Sequence, residues 1–157
     1  MQFKKTERPL IWAHRGASGY APENTLMAFQ KAVELGADGV ELDVQLTRDD
    51  VIVVIHDEMI DRTSTGSGWV KDYTLEELRQ FDYNKNFPEL GHADIPTLRE
   101  VYELLKPTGL TINVEMKTGI VFYEELERKV IELTREMGME EKVLYSSFNH
   151  YTCVKMH

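Results

Sequence analysis

The sequence predicts an α/β protein built on a parallel sheet, and three observations carry that prediction. Short apolar runs alternate along the chain with stretches of helical periodicity, as parallel strands with covering helices require. Acids and histidines stand within or just after those runs, in Trp12-Ala13-His14-Arg15-Gly16, Val40-Glu41-Leu42-Asp43-Val44, Ile55-His56-Asp57 and Asn113-Val114-Glu115-Met116-Lys117. Functional sites of such sheets form at the carboxyl ends of strands. The 157 residues, 42% of them hydrophobic, suit one domain with a real core.

Taken in order, Leu10 to Ala13 reads as a buried strand, followed by a Gly-rich loop through Gly16 and Gly19. A helix is expected from about Asn24 to Leu35, with Leu26, Phe29 and Val33 at helical spacing and Gly36 to end it. Gly39 to Thr47 alternates strictly, with Val40, Leu42, Val44 and Leu46 against Glu41, Asp43, Gln45 and Thr47. Arg48-Asp49-Asp50 is turn-like, and Val51 to Ile55 completes a hairpin. A turn centred near Asp49 sets position 42 opposite position 56, within a residue of register, so antiparallel pairing alone brings His56 beside Glu41 and Asp43.

Residues from about 57 to 95 read as an insertion decorating the scaffold. They contain a small polar stretch, Thr63 to Gly68, and a capping box, Thr74-Leu75-Glu76-Glu77, that opens a short helix. Thr97-Leu98-Arg99-Glu100 is a second capping box, with a helix to about Leu105. Leu110 to Lys117 alternates again, with Ile112, Val114 and Met116 on one face. A helix from about Tyr123 to Met137 carries Leu126, Val130, Leu133 and Met137 as a stripe and ends at Gly138. Val143 to Ser147 makes one more strand, and another helix begins beyond it.

Charge and cysteine content exclude several classes. A net charge of −9 argues against a binder of nucleic-acid backbone, which needs a positive footprint. Cys153 is the only cysteine, so a disulfide framework or a thiolate metal cage within one chain is excluded. The opening, Met1 to Pro9, has charges without a long apolar stretch behind them, and no run is long enough to span a membrane. A cytoplasmic protein is the expectation.

Glu41 and Asp43, two apart on a strand, point the same way. Such a pair more often marks a solvent face, but Glu115 repeats the arrangement on another strand. Unpaired carboxylates facing into a covered sheet are costly, and a divalent cation is the simplest relief. All-oxygen ligands favour Mg²⁺ or Ca²⁺ over Zn²⁺. A lone histidine at a strand end is usually structural. His14 and His56 beside three carboxylates are candidates for proton transfer. Arg15 and Lys117 are candidates to hold an anion, whereas His92, His150 and His157 are assigned no role.

Together, His14-Arg15-Gly16-Ala17, Pro22-Glu23-Asn24-Thr25, Glu41-Leu42-Asp43-Val44, His56-Asp57 and Glu115-Met116-Lys117 resemble the motifs of the glycerophosphodiester phosphodiesterase family. Order and spacing match over nearly the whole chain, including an insertion after the histidine-bearing hairpin. The resemblance implies a TIM-type (β/α) barrel that hydrolyses a small-molecule glycerophosphodiester to glycerol 3-phosphate and an alcohol. It implies one divalent cation, Mg²⁺ or Ca²⁺, on Glu41, Asp43 and Glu115. His14 and His56 would be the acid/base pair, with Arg15 and Lys117 at the phosphate. A phospholipase D-like or phosphoinositide-cleaving relative is the alternative, disfavoured because those enzymes are usually secreted and rich in disulfides.

A complete barrel has eight strands and typically ~250 residues. This sequence supplies about four barrel strands plus the second arm of the hairpin, the first half of the barrel. Two unpaired strand edges and a wide apolar inner face are therefore expected to be exposed. The favoured reading is a piece of a longer protein. A homodimer that closes the sheet and an inactive binding remnant are the others.

Overall fold

A computed structural model describes residues 8–156; the opening stretch Met1 to Glu7 and His157 lie outside the described residues. Among the described residues, five strands form one sheet: β1 (Trp12–His14), β2 (Gly39–Leu46), β3 (Ile52–Val54), β4 (Thr111–Met116) and β5 (Val143–Ser146). Four of them run parallel in the order β1-β2-β4-β5, and β3 pairs antiparallel with β2. Along one edge of β2, β1 takes residues 39–41 and β3 takes residues 44–46, while β4 occupies the other edge. Among the described residues no helix is long and apolar enough to cross a membrane.

The hairpin register follows from its turn. Thr47 N–H donates to Val51 C=O at 3.1 Å, Asp50 turns the chain at φ 63°, and Val44 faces Val54. Ile55 N–H continues the ladder to Asp43 C=O at 2.9 Å. This pairing is centred on Asp49 and ends at Ile55, so His56 lies just beyond the ladder.

Helices α1 (Leu26–Glu34), α3 (Leu98–Leu105) and α4 (Leu126–Glu136) contribute buried apolar faces to the core, with the short α2 (Leu75–Leu78) in the insertion and α5 (His150–Lys155) after β5. Both capping boxes form: Thr74 and Thr97 accept from the backbone N–H groups of Glu77 and Glu100, whose carboxylates return the bond. Each such cap stabilises its helix by about 1 kcal/mol. Phe29, Val101, Leu105 and Leu126 pack with Val40, Leu42, Val44, Ile112 and Val114 in the main core. Burying each large side chain contributes roughly 1.5–3 kcal/mol.

Two helices start later than their periodicity predicts. Asn24 adopts φ 57°, outside any helix, and Thr25 caps α1 by accepting from Ala28 N–H. Tyr123 precedes α4 and gives its hydroxyl proton to Gln45 Oε1 at 3.0 Å. In both cases a side-chain bond near the site outweighs helical propensity.

The face opposite the main core corrects the expectation of a wide apolar inner surface. Register sets His14, Glu41, Asn113 and Leu144 in one row, and Asp43, Glu115 and Ser146 in the next. Strict alternation sends the apolar residues of β2 and β4 under the helices and leaves this face mostly polar. Ser146 Oγ donates to Asn113 Oδ1 at 3.0 Å across it.

The segment 57–95 has a cluster of its own: Ile60, Val70, Leu78, Tyr83, Ala93 and Ile95 pack with Val53 and Ile55. Ile52 and Val54 belong to the main core. β3 is therefore buried on both faces and joins the two clusters.

Candidate active site

β1 and the β3 strand approach each other along the same edge of β2, and each is followed or ended by a histidine. His14 closes β1 opposite Glu41, with Nε2 3.8 Å from Glu41 Oε2. His56 follows β3, and its backbone carbonyl accepts from the buried Gln45 Nε2 at 3.0 Å. Its ring is fixed at both nitrogens. Nδ1 lies 2.6 Å from Asp57 Oδ1, and Nε2 lies 3.3 Å from Lys117 Nζ. An ammonium can only donate, so the pair fits a neutral ring that carries its proton on Nδ1 and a lone pair on Nε2.

The three carboxylates come from neighbouring strands. Asp43 faces Glu115 in the β2–β4 register, and Glu41 lies one row below. One oxygen from each of Glu41, Asp43 and Glu115 lies within 4.8 Å of the other two. Burial, then the charge of Asp43, pushes the Glu41 carboxyl up to about 7. Burial also raises Asp43, against the hydrogen bond from Asn24. Glu41 Oε1 is buried without a hydrogen-bond partner. Lys117 Nζ partly offsets the cluster, 3.0 Å from Glu115 Oε1 and 3.9 Å from Asp43 Oδ1.

Arg15 enters from the turn after β1. Its backbone, at φ 56°, donates to Glu41 Oε2 at 3.0 Å. Gly16 continues the turn at φ 74°, where an added Cβ would fall 2.7 Å from the Ala28 carbonyl carbon. Only glycine allows the loop to press so closely on α1. Arg15 Nη1 donates to Glu23 at 2.9 Å, while Nε is buried, unpartnered and 3.6 Å from Asp43 Oδ2.

Sequence reasoning assigned no role to four residues that the structure wires into this group. Asn24 Nδ2 donates to Asp43 Oδ2 at 2.9 Å. Asp57 holds His56, Glu23 holds Arg15, and Arg62 bridges Asp57 and Glu23. Asn24 had a legible signal, since Asn tolerates the left-handed backbone before a helix cap. Arg62 had none, because its bridge depends on Glu23, 39 residues away in sequence.

Comparison with known proteins then places the chain. The family described as "Glycerophosphoryl diester phosphodiesterase family" matches residues 14–157. The chain belongs to this family. It is 52% identical over 146 residues to a glycerophosphodiester phosphodiesterase of Caldanaerobacter subterraneus subsp. tengcongensis, covering 92% of this chain and 60% of that protein. The crystal structure of a glycerophosphodiester phosphodiesterase from Agrobacterium tumefaciens superposes with TM-score 0.85 at 35% identity, over 95% of this chain and 62% of that one. A phosphodiesterase of Oleispira antarctica, solved in complex with the product sn-glycerol-3-phosphate, gives TM-score 0.79 at 36% identity, over 93% of this chain and 60% of that one. This phosphodiesterase-family chain thus spans about three-fifths of the length of these relatives, and its sheet is a partial TIM-type barrel.

Proposed function

We propose that the chain carries the acid/base and phosphate-binding apparatus of a glycerophosphodiester phosphodiesterase, with water or the neighbouring glycerol hydroxyl as attacking oxygen. The observation that supports this most directly is one tight carboxylate cluster across β2 and β4, with His14 3.8 Å from Glu41 and His56 joined to Glu115 through Lys117. Family membership and the relative bound to sn-glycerol-3-phosphate support the substrate class.

A divalent cation fits Glu41, Asp43 and Glu115. Their donors are all oxygen, they lie within 4.8 Å of one another, and Glu41 Oε1 is a buried acceptor with nothing to accept from. Held there, the cation would supply positive charge to the phosphoryl oxygens. The hard carboxylate set suits Mg²⁺ or Ca²⁺.

The chain's own residues divide the remaining work. His56 Nε2 takes the proton of the attacking oxygen, because Asp57 keeps Nδ1 protonated. His14, more open to solvent, gives a proton to the departing alcohol oxygen. Arg15 Nε, buried beside Asp43 without a hydrogen-bond partner, is suited to the charge that grows on the phosphoryl oxygens. Lys117 Nζ, between Glu115 and His56 Nε2, supplies a second positive charge beside the same oxygens. With water as attacker the products are glycerol 3-phosphate and an alcohol; with the glycerol hydroxyl, the alcohol leaves behind a cyclic phosphate, which water then opens to glycerol 3-phosphate.

The test is release of glycerol 3-phosphate from glycerophosphocholine, followed by ³¹P NMR, in chelator and after return of Mg²⁺ or Ca²⁺. Cation-dependent release that falls in Glu115→Gln supports the reading. Undiminished release in chelator rejects it.

A further inference from the structure

We infer that Arg62, which belongs to the insertion and not to the barrel, is a positioning residue that locks His56 and Arg15 into one arrangement by bridging Asp57 and Glu23. The inference deepens the proposed function and rests on its roles for His56 and Arg15. Arg62 Nε donates to Asp57 Oδ2 at 2.6 Å, and Nη2 reaches Asp57 Oδ1 at 3.2 Å. The other edge of the guanidinium meets Glu23, with Nη1 2.8 Å from Oε2 and Nη2 2.7 Å from Oε1. Each carboxylate continues into the site. Asp57 Oδ1 meets His56 Nδ1, and Glu23 Oε1 also accepts from Arg15 Nη1.

The planar fork explains why arginine stands here. Two carboxylates are satisfied along two edges of one rigid cation, which a lysine ammonium cannot do. The backbone of Arg62 is fixed by the insertion. It ends the one-turn helix Ile60–Arg62, whose first side chain is fully buried in the insertion cluster and whose carbonyl accepts from Ser64 Oγ at 2.8 Å. Folding of the insertion thus sets the orientation of a histidine and an arginine that lie outside it.

An ordinary surface ion pair is the competing reading, since the Arg62 side chain is 42% exposed. Exposed pairs add little to stability. The two readings therefore diverge in the site and not in the melting curve. If Arg62 positions, its loss leaves the fold standing and frees the His56 ring. If it is a surface pair, its loss changes neither.

The experiment compares wild type, Arg62→Gln, Arg62→Lys and, as an insertion control, Ser67→Ala. Proton–nitrogen correlation spectra of the His56 imidazole report which nitrogen carries the proton, with no need for turnover. Wild type and Ser67→Ala are expected to show one tautomer, protonated at Nδ1, and Arg62→Gln a mixture. On glycerophosphocholine with Mg²⁺, Arg62→Gln should lose about 10- to 100-fold in kcat and gain in KM, with Arg62→Lys between it and wild type. A merely structural defect would lower the active fraction and leave KM and the tautomer of the folded protein unchanged. Should Arg62→Gln fail to fold, Glu23→Gln and Asp57→Asn divide the test: the first should raise KM, and the second should scramble the tautomer. An unchanged His56 spectrum in the folded Arg62 or Asp57 variants overturns the inference. Absence of turnover in wild type would reject the proposed reaction, while the spectrum still decides whether Arg62 positions the ring.

Discussion

Glu41 should make the chelated protein less stable as pH rises, and the size of that effect follows from its surroundings. Burial and the adjacent Asp43 lift its carboxyl from 4.5 to about 7. The folded state then holds a proton that the unfolded chain releases across that window. The contribution of Glu41 to stability is greatest below 4.5 and falls as pH climbs through 7, by up to roughly 3 kcal/mol. Asp43 moves in the same direction. Other groups move oppositely: against the cost of burial, the bonds from Arg62 hold Glu23 and Asp57 below the usual carboxylate range, so they lose stability at low pH. The informative quantity is therefore the difference between wild type and Glu41→Gln at each pH, measured by thermal melts in chelator. Glutamine keeps the shape without the charge, so the variant should melt higher at pH 8 by roughly 5–10 °C, and the gap should close toward pH 4.5. A divalent cation at a hundred times its Kd should return about 2.7 kcal/mol to wild type at pH 8 and much less to the variant. A gap that stays flat between pH 5 and 8, or a wild type that is the more stable at pH 8 in chelator, would refute the cost assigned to Glu41.

Replacing either histidine tests the assigned chemistry: in the complete enzyme, His56→Ala and His14→Ala should each lower kcat by about two to four orders of magnitude, measured by glycerol 3-phosphate release, and a near-normal rate would remove that residue from the reaction. Gly16→Ala forces a Cβ to within 2.7 Å of the Ala28 backbone at φ 74°. It should cost about 2 kcal/mol or more, read as a lower urea midpoint. Gln45→Leu leaves the His56 carbonyl and the Tyr123 hydroxyl without their partner. It should cost about 1–3 kcal/mol in denaturant melts, and kcat should fall with it as His56 loosens.

Strand identity was legible because β2 and β4 each show one clean period, and the capping boxes at Thr74 and Thr97 are local signals that formed as read. The hairpin register was legible to within a residue from the turn near Asp49, and the burial of Val53 and Val54 in different clusters settles it. The character of the open face was misjudged. Exposure of a half-barrel suggested apolar surface, whereas alternation had already committed Glu41, Asp43, Asn113 and Glu115 to that side. The bridge through Arg62 could not be read at all. Its contacts join residues 23, 57 and 62 through the packing of Ile60 in the insertion, and no sequence period encodes that closure.

The split edge of β2 accounts for how few elements the candidate site needs. β1 pairs with residues 39–41 from one direction, and β3 pairs with residues 44–46 from the other. Both strands therefore run out beside Leu42 and Asp43, and a residue at or just past each end is delivered to the same place. His14 and His56 are those residues. On the far edge, β4 lies in parallel register and adds Glu115 level with Asp43. Because side chains alternate, a one-residue slip of the hairpin would exchange the faces of Val53 and Val54. Val53 packs in the insertion cluster and Val54 in the main core, so such a slip would disturb both cores at once. The double burial of β3 thus fixes the position of His56 with the stability of two hydrophobic clusters, and the candidate site inherits its precision from packing that lies outside it.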